Sequence, residues 1–180
     1  MRIIGVDPGT LITGFGVIDC EAGKMSLVEY GVIRMKAAWS MPLRLREIYI
    51  NLLSVIERTA PDEFAIESAF YSKNVQSTLK LGHARGVSIL AAVLREIPTS
   101  EYAPREVKLA VTGSGAASKE RVEYMVMQLL SIAERHAFMD ASDALGVAIC
   151  HANRISRPQS KSGSWKQFII DNPDRIALTR

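Results

Sequence analysis

The sequence predicts an α/β fold: a mixed five-stranded sheet flanked by helices on both faces. Three observations carry this. Three short apolar strands with tight connections open the chain. The hydrophobic period then switches from that of a strand to that of a helix. Beyond that point strand-like and helix-like segments alternate, and a run of helices closes the pattern. At 180 residues the chain suits a single domain with one core.

The elements follow in order. Arg2 to Asp7 reads as a short buried strand. Thr13 to Cys20 reads as a second, with Gly14 and Gly16 inside it, and Met25 to Arg34 as a third. Gly9 and the Glu21-Ala22-Gly23-Lys24 segment supply the turns, so the three strands form an antiparallel meander. Leu45, Ile48, Leu52, Val55 and Ile56 then recur at helical spacing, and Pro61 ends that helix. Asp62 to Ser68, around Phe64-Ala65-Ile66, is the fourth strand. Leu79, Gly82, His83, Gly86, Leu90, Val93 and Leu94 trace one face of a long helix. Pro98 to Ala103 gives the fifth strand, and Pro104 stands where the first turn of a helix accepts proline. Ser118 is a good N-cap for a helix carrying Val122, Met125, Val126, Leu129 and Leu130. The last helix carries Ala141, Ala144, Leu145, Ala148, Ile149 and Ala152. Residues 1–155 are expected to form one domain. Residues 156–180, with Pro158, Ser160, Ser162 and Gly163, are expected to form a basic, flexible tail.

Composition narrows the function classes. Hydrophobic residues make up 48% and charged residues 23%, which excludes disorder of the whole chain. The longest near-apolar run, Val87 to Leu94, is too short to span a bilayer. Asp7 interrupts the first apolar run, so no signal peptide and no membrane attachment are expected. Cys20 and Cys150 form neither a metal spacing nor a disulfide framework, and a reducing, cytoplasmic location is expected. The net charge is +3, but from Arg154 onward six Lys/Arg face two Asp/Glu. The tail therefore holds the positive excess, and bulk charge does not argue that the body binds nucleic acid.

The acidic residues are more informative. Asp7 closes the first strand, and Glu67 closes the fourth after Phe64-Ala65-Ile66. Both stand at the carboxyl ends of strands, where α/β folds place ligands. Asp140 and Asp143 stand three apart at the head of the last helix, on one helical face. Each acid alone has a bland reading. Asp7 before Pro-Gly is a turn former, Asp140 an N-cap, and Asp143 a complement to the helix dipole. Together they suit two-metal phosphodiester hydrolysis, in which clustered carboxylates hold hard divalent cations. Without cations such a cluster repels itself and raises its own pKa values. Spacing alone leaves both readings open.

Several stretches resemble the RuvC family of crossover-junction endodeoxyribonucleases. They are Gly5-Val6-Asp7-Pro8-Gly9-Thr10 with Thr13-Gly14-Phe15-Gly16-Val17; Ala65-Ile66-Glu67 followed by Phe70 and Lys73-Asn74; Leu79-Lys80-Leu81-Gly82-His83-Ala84-Arg85-Gly86-Val87; Glu101-Tyr102-Ala103-Pro104-Arg105-Glu106-Val107-Lys108; and Asp140-Ala141-Ser142-Asp143-Ala144-Leu145. They fall in the family's order and spacing as far as about Asn153. The resemblance implies an RNase H-like fold and an active enzyme that nicks opposed strands of a four-way (Holliday) junction in recombination and repair. It implies a homodimer, two Mg²⁺ ions per site with Mn²⁺ able to substitute, and a branch-migration helicase complex of the RuvA and RuvB type as partner. Asp7, Glu67, Asp140 and Asp143 match the family's catalytic, metal-holding acids. Ser142 and Gly146 stand where the family commonly has alanine, and the tail after Ile155 has no clear counterpart.

Candidate DNA contacts are Phe70, Lys73, Lys80, Arg85, Arg105, Lys108 and Lys119. Phe70 suits stacking or wedging at an opened junction, better than its neighbour Tyr71. The basic residues, with Arg121, stand near loop or helix starts and suit phosphate contacts as well as they suit a solvated face. The resemblance favours Lys108 and Lys119, and Lys119 is a candidate to steady charge on the scissile phosphate. Gly113-Ser114-Gly115 lacks the ending of a Walker A loop and reads as a flexible turn. Gly82 and Gly86 suit either a close helix seam or ordinary core packing. His83 suits a structural place and His151 a cap on helix carbonyls. Two other readings compete: an ATP-dependent phosphotransferase of the actin or sugar-kinase type, and a catalytically silent DNA-binding module.

Overall fold

A computed structural model describes residues 1–68, 75–133 and 141–156. Five strands form one sheet in the order β3-β2-β1-β4-β5: β1 (Arg2–Asp7), β2 (Ile12–Glu21), β3 (Lys24–Arg34), β4 (Glu63–Glu67) and β5 (Thr99–Tyr102). The first three pair antiparallel, while β4 lies parallel to β1 and β5 parallel to β4. This is the mixed sheet that the sequence predicts. The β2–β3 connection is tighter than expected: Glu21 pairs with Lys24, and Ala22 and Gly23 both take positive φ, 48° and 81°. Two such residues form the turn that matches the natural twist of a hairpin.

Helices cover both faces. α1 (Met41–Thr59) and α2 (Val75–Val93) pack on one side; α3 (Pro104–Thr112), α4 (Lys119–Leu129) and α5 (Ser142–Ser156) pack on the other. The alternation of side chains in β1 and β4 decides what each layer sees. Ile4, Val6, Phe64 and Ile66 join the α1–α2 core, while Ile3 and Ala65 join the core under α5. By the same period, Gly5, Asp7, Glu63 and Glu67 stand on the face that α5 covers. α5 itself is buried almost throughout from Ser142 to Ala152.

α5 also lies unusually near the sheet. A Cβ placed on Gly5 would sit 2.1 Å from the Ala144 carbonyl oxygen and 2.7 Å from the Ala148 nitrogen; one on Gly16 would meet the Leu145 side chain at 2.5 Å. Glycine at these strand positions lets the helix backbone rest on the sheet.

Helix boundaries obey local chemistry. α1 starts earlier than its apolar spacing indicates, with Ser40 as N-cap and proline in its first turn. It ends at Thr59, and Ala60 takes the left-handed C-cap conformation, φ 45°, just before Pro61. The Ser118 side chain accepts from the Arg121 amide, as a helix N-cap should. Gly113 is the left-handed C-cap of α3.

Three expectations change on contact with the structure. His151 caps no carbonyls; it is buried at 3% exposure and bonded to Tyr102. His83 holds no core place and is exposed. Gly82 and Gly86 are exposed too, with nothing within 4 Å of an added Cβ, so core packing does not explain them. Among the described residues, no helix is long and apolar enough to cross a membrane.

Candidate active site

Asp7 ends β1, Glu67 ends β4, and Asp143 stands in the first turn of α5. Parallel pairing of β1 and β4 brings the first two side by side: Val6 pairs with Ile66, one residue before each acid. The close seat of α5 on Gly5 then sets Asp143 against them. Lys119, the first residue of α4, reaches across with its Nζ 2.7 Å from Asp143 Oδ2. Glu67, Lys108, Lys119 and Asp143 line one cleft of about 210 Å³, with Pro104, Val107 and Val122.

The electrostatics record this crowding. Burial pushes the Glu67 carboxyl up to about 8, helped by the charges of Asp7 and Asp143 and by its hydrogen bond to Asp7; Lys119 opposes the shift. Asp7 is also raised, first by burial and then by Asp143, while the bond from Glu67 and the Lys119 charge pull it down. Both carboxyls are thus held above their ordinary range, and of the two Glu67 is the one pushed up to about 8. Two half-buried carboxylates in this state seek countercharge, and either a shared proton or a divalent cation satisfies them. Their donor atoms are all hard oxygens, which suits Mg²⁺ rather than a soft metal. Among the described residues, no three His, Cys, Asp or Glu side chains already converge in metal-holding geometry. Asp140, the fourth acid expected here, lies outside the described residues.

The sequence reading missed Thr13. This side chain is fully buried, and its hydroxyl donates to the Gly9 carbonyl at 2.8 Å while accepting from the Gly9 amide at 3.2 Å. The chain between Asp7 and β2 is thereby closed into one tight loop. Gly9 suits the loop because an added Cβ would sit 2.1 Å from the Ile12 carbonyl oxygen. Thr13 therefore anchors the backbone that follows Asp7; the legible signal was a polar β-branched residue at an inward strand register. Thr13→Val keeps the shape and leaves both Gly9 groups without a partner, which costs about 1–3 kcal/mol. Urea unfolding is expected to show that loss, and Thr13→Ser is expected to recover most of it.

The other named residues are dispersed. Arg85 pairs with Glu101, and Lys80 is exposed on α2. Arg105 packs its side chain against Gly115, 2.8 Å from an added Cβ, beside the turn that leads to Lys119. Arg121 lies over the Tyr124 ring, 5.7 Å from its centroid. Phe70, Tyr71 and Lys73 lie outside the described residues.

Comparison with known proteins places this geometry. The family profile described as "Crossover junction endodeoxyribonuclease RuvC" matches residues 3–151. A crossover junction endodeoxyribonuclease from Bacteroides fragilis is 45% identical over 97% of this chain and 95% of its own. One from Salinibacter ruber is 43% identical over 98% and 99%. These alignments run well past Ile155, so the C-terminal segment does have counterparts among relatives. Among solved structures, Thermus thermophilus RuvC in complex with a Holliday junction substrate superposes with TM-score 0.79 at 32% identity, over 86% of this chain and 94% of that one. A yeast mitochondrial Holliday junction resolvase shares the fold at TM-score 0.61 and 12% identity, over 84% of this chain and 77% of that one.

Proposed function

The chain belongs to the RuvC family of crossover junction endodeoxyribonucleases, and on that premise we propose how its own residues perform the cut. Its fold is RNase H-like. It is a divalent-metal-dependent endonuclease that resolves Holliday junctions. The competing readings as a phosphotransferase or a silent binding module are set aside by that membership.

The proposed site is Asp7, Glu67, Asp140 and Asp143, with Lys119 beside them. The observation that carries it is the meeting of Asp7 and Glu67 at adjacent ends of paired strands, beside the Asp143–Lys119 pair. These carboxylates would hold two Mg²⁺ ions, with Mn²⁺ able to substitute. When bound, such ions supply an activated water and charge stabilisation for in-line attack on a phosphodiester. Asp7 and Glu67, fixed at strand ends, give the site a rigid floor. Lys119 sets a positive charge at the cleft, where the scissile phosphate accumulates negative charge. The products carry 5′-phosphate and 3′-hydroxyl ends.

Phe70, Lys73, Lys80, Arg85, Arg105, Lys108 and Lys119 are the proposed DNA contacts. Lys108 and Lys119 line the same cleft as the acids, which supports them most directly. The test is cleavage of a synthetic four-way junction beside matched duplex, with and without Mg²⁺. Rapid Mg²⁺-dependent nicking of the junction alone is expected; equal cutting of plain duplex would reject junction selectivity.

The protein is proposed to act as a homodimer in the cytoplasm, served by a helicase complex of the RuvA and RuvB type. One face of α2 supports the dimer. Val75, Leu79, Leu90 and Val93 are 48–72% exposed along it, and Gly82 and Gly86 leave its middle without side chains and open. An apolar stripe of that length on a helix marks an interface. Leu79→Glu with Leu90→Glu is expected to convert a dimer into a monomer in sedimentation analysis. An unchanged sedimentation coefficient would place the dimer seam elsewhere.

A further inference from the structure

A polar chain, buried at His151 and Tyr102, links the elements that carry Glu67 and Asp143, and the cutting reaction as described makes no use of it. The Tyr102 hydroxyl is 2.7 Å from His151 Nδ1, and the two rings meet edge to face at 5.7 Å. The other ring nitrogen, Nε2, is buried without a well-formed hydrogen bond, and Glu63 Oε2 stands 3.4 Å from it. A carboxylate facing Nε2 holds the proton on that nitrogen, so Nδ1 accepts from the Tyr102 hydroxyl. Burial holds the His151 pKa below its ordinary value, in keeping with a neutral ring.

The three residues come from three elements that meet at the site. Glu63 begins β4, the strand that ends in Glu67. His151 lies on α5, the helix that begins beside Asp143. Tyr102 ends β5 and is the register partner of Glu67. Its carbonyl accepts two bonds from the residue after Glu67: the Ser68 amide at 2.8 Å and the Ser68 hydroxyl at 3.2 Å. The lengths agree. Glu63 to Glu67 spans about 13 Å of strand, and Asp143 to His151 about 12 Å of helix. α5 therefore meets β4 at both ends, through the acids at one and through His151 at the other.

We propose that Tyr102 and His151, backed by Glu63, are positioning residues for the cut: the Glu63–His151–Tyr102 chain fixes the end of β5, and the Tyr102 carbonyl fixes Glu67 through Ser68. This rests on the reading of Glu67 as a catalytic acid. Groups that orient a metal-holding carboxylate in this way typically change metal affinity or activity by about 10–100-fold. They act on the chemical step and leave junction binding alone.

The test uses full-length protein, single-turnover cutting of a synthetic four-way junction across a Mg²⁺ titration, and junction binding in metal-free buffer. Tyr102→Phe is expected to cut about tenfold more slowly, or to need about tenfold more Mg²⁺, with junction affinity within about twofold of wild type. Tyr102→Phe combined with His151→Gln is expected to be no slower than the worse single variant, because both break one chain. In metal-free protein, ¹⁵N spectra are expected to show the His151 ring protonated at Nε2. Wild-type cutting by Tyr102→Phe, with Glu67→Gln inactive, would overturn the positioning chain and leave the site intact. Normal cutting by Glu67→Gln would overturn the site reading itself. If Tyr102→Phe does not fold, Ser68→Ala decides: it removes the hydroxyl bond at the partly exposed end and is expected to slow cutting without changing junction binding. Wild-type cutting by Ser68→Ala would then reject the proposal.

Discussion

Asp7→Asn is expected to lower junction cutting by about 10³-fold or more while leaving junction binding within about twofold of wild type. The change keeps the size and shape of the side chain and removes its charge. β1 should keep its place, because the strand is held by Ile3, Ile4 and Val6, all fully buried. Asparagine keeps a carbonyl oxygen that can accept a hydrogen bond but brings no charge. With one of its neighbouring negative charges gone, the Glu67 carboxyl is expected to fall from about 8 toward the ordinary range. The sign follows from the causes: the Asp7 charge raises Glu67, so its removal lowers it. An NMR titration of metal-free protein reads that fall, and a gel shift reads binding. An Asp7→Asn variant that cuts at the wild-type rate with Mg²⁺ would remove Asp7 from the site. One that no longer binds junctions would make Asp7 part of the DNA surface instead.

Much of this arrangement was legible from local pattern. The three-strand meander, the change of period and the five strands all follow from residues near each other in the chain. So does the placement of Asp7 and Glu67 at strand ends, because an acid after an apolar run marks the point where a buried strand emerges. Long-range partnership was less visible. His151 near the end of a helix reads as a cap from sequence, and its partner Tyr102 lies 49 residues away. Thr13 reads as an ordinary strand residue until the loop after Asp7 folds back on its hydroxyl. Glycines inside strands signal a close approach, but not what approaches. Gly5 and Gly16 face a helix, whereas the α2 glycines Gly82 and Gly86 face open space.

Gly5→Ala tests that close approach and is expected to be the most damaging single-methyl change in the protein's core. The added Cβ would sit 2.1 Å from the Ala144 carbonyl oxygen and 2.7 Å from the Ala148 nitrogen. Both are backbone atoms, so no side-chain rotation relieves the clash, and α5 must move off the sheet. Overpacking of this kind costs about 3 kcal/mol, or roughly 10 °C in melting temperature for a domain of this size. The catalytic loss is expected to exceed the stability loss. Ala144 directly follows Asp143, so a lifted helix carries that carboxylate, and its Lys119 pair, away from Asp7 and Glu67. A displacement of about 1 Å at a reacting group costs about 10²-fold in rate, and cutting at 25 °C, where the variant remains folded, should show it. Two comparisons isolate the cause. Gly16→Ala meets mainly the Leu145 side chain, at 2.5 Å, rather than helix backbone, and is expected to lose less stability and less activity. Gly146→Ala, on α5 itself, finds its nearest neighbour in the Val107 side chain at 3.2 Å. It gains about 1 kcal/mol of helix propensity and is expected to stay near wild type in both. If Gly5→Ala melts and cuts like Gly146→Ala, the seat of α5 on β1 does not set the position of Asp143.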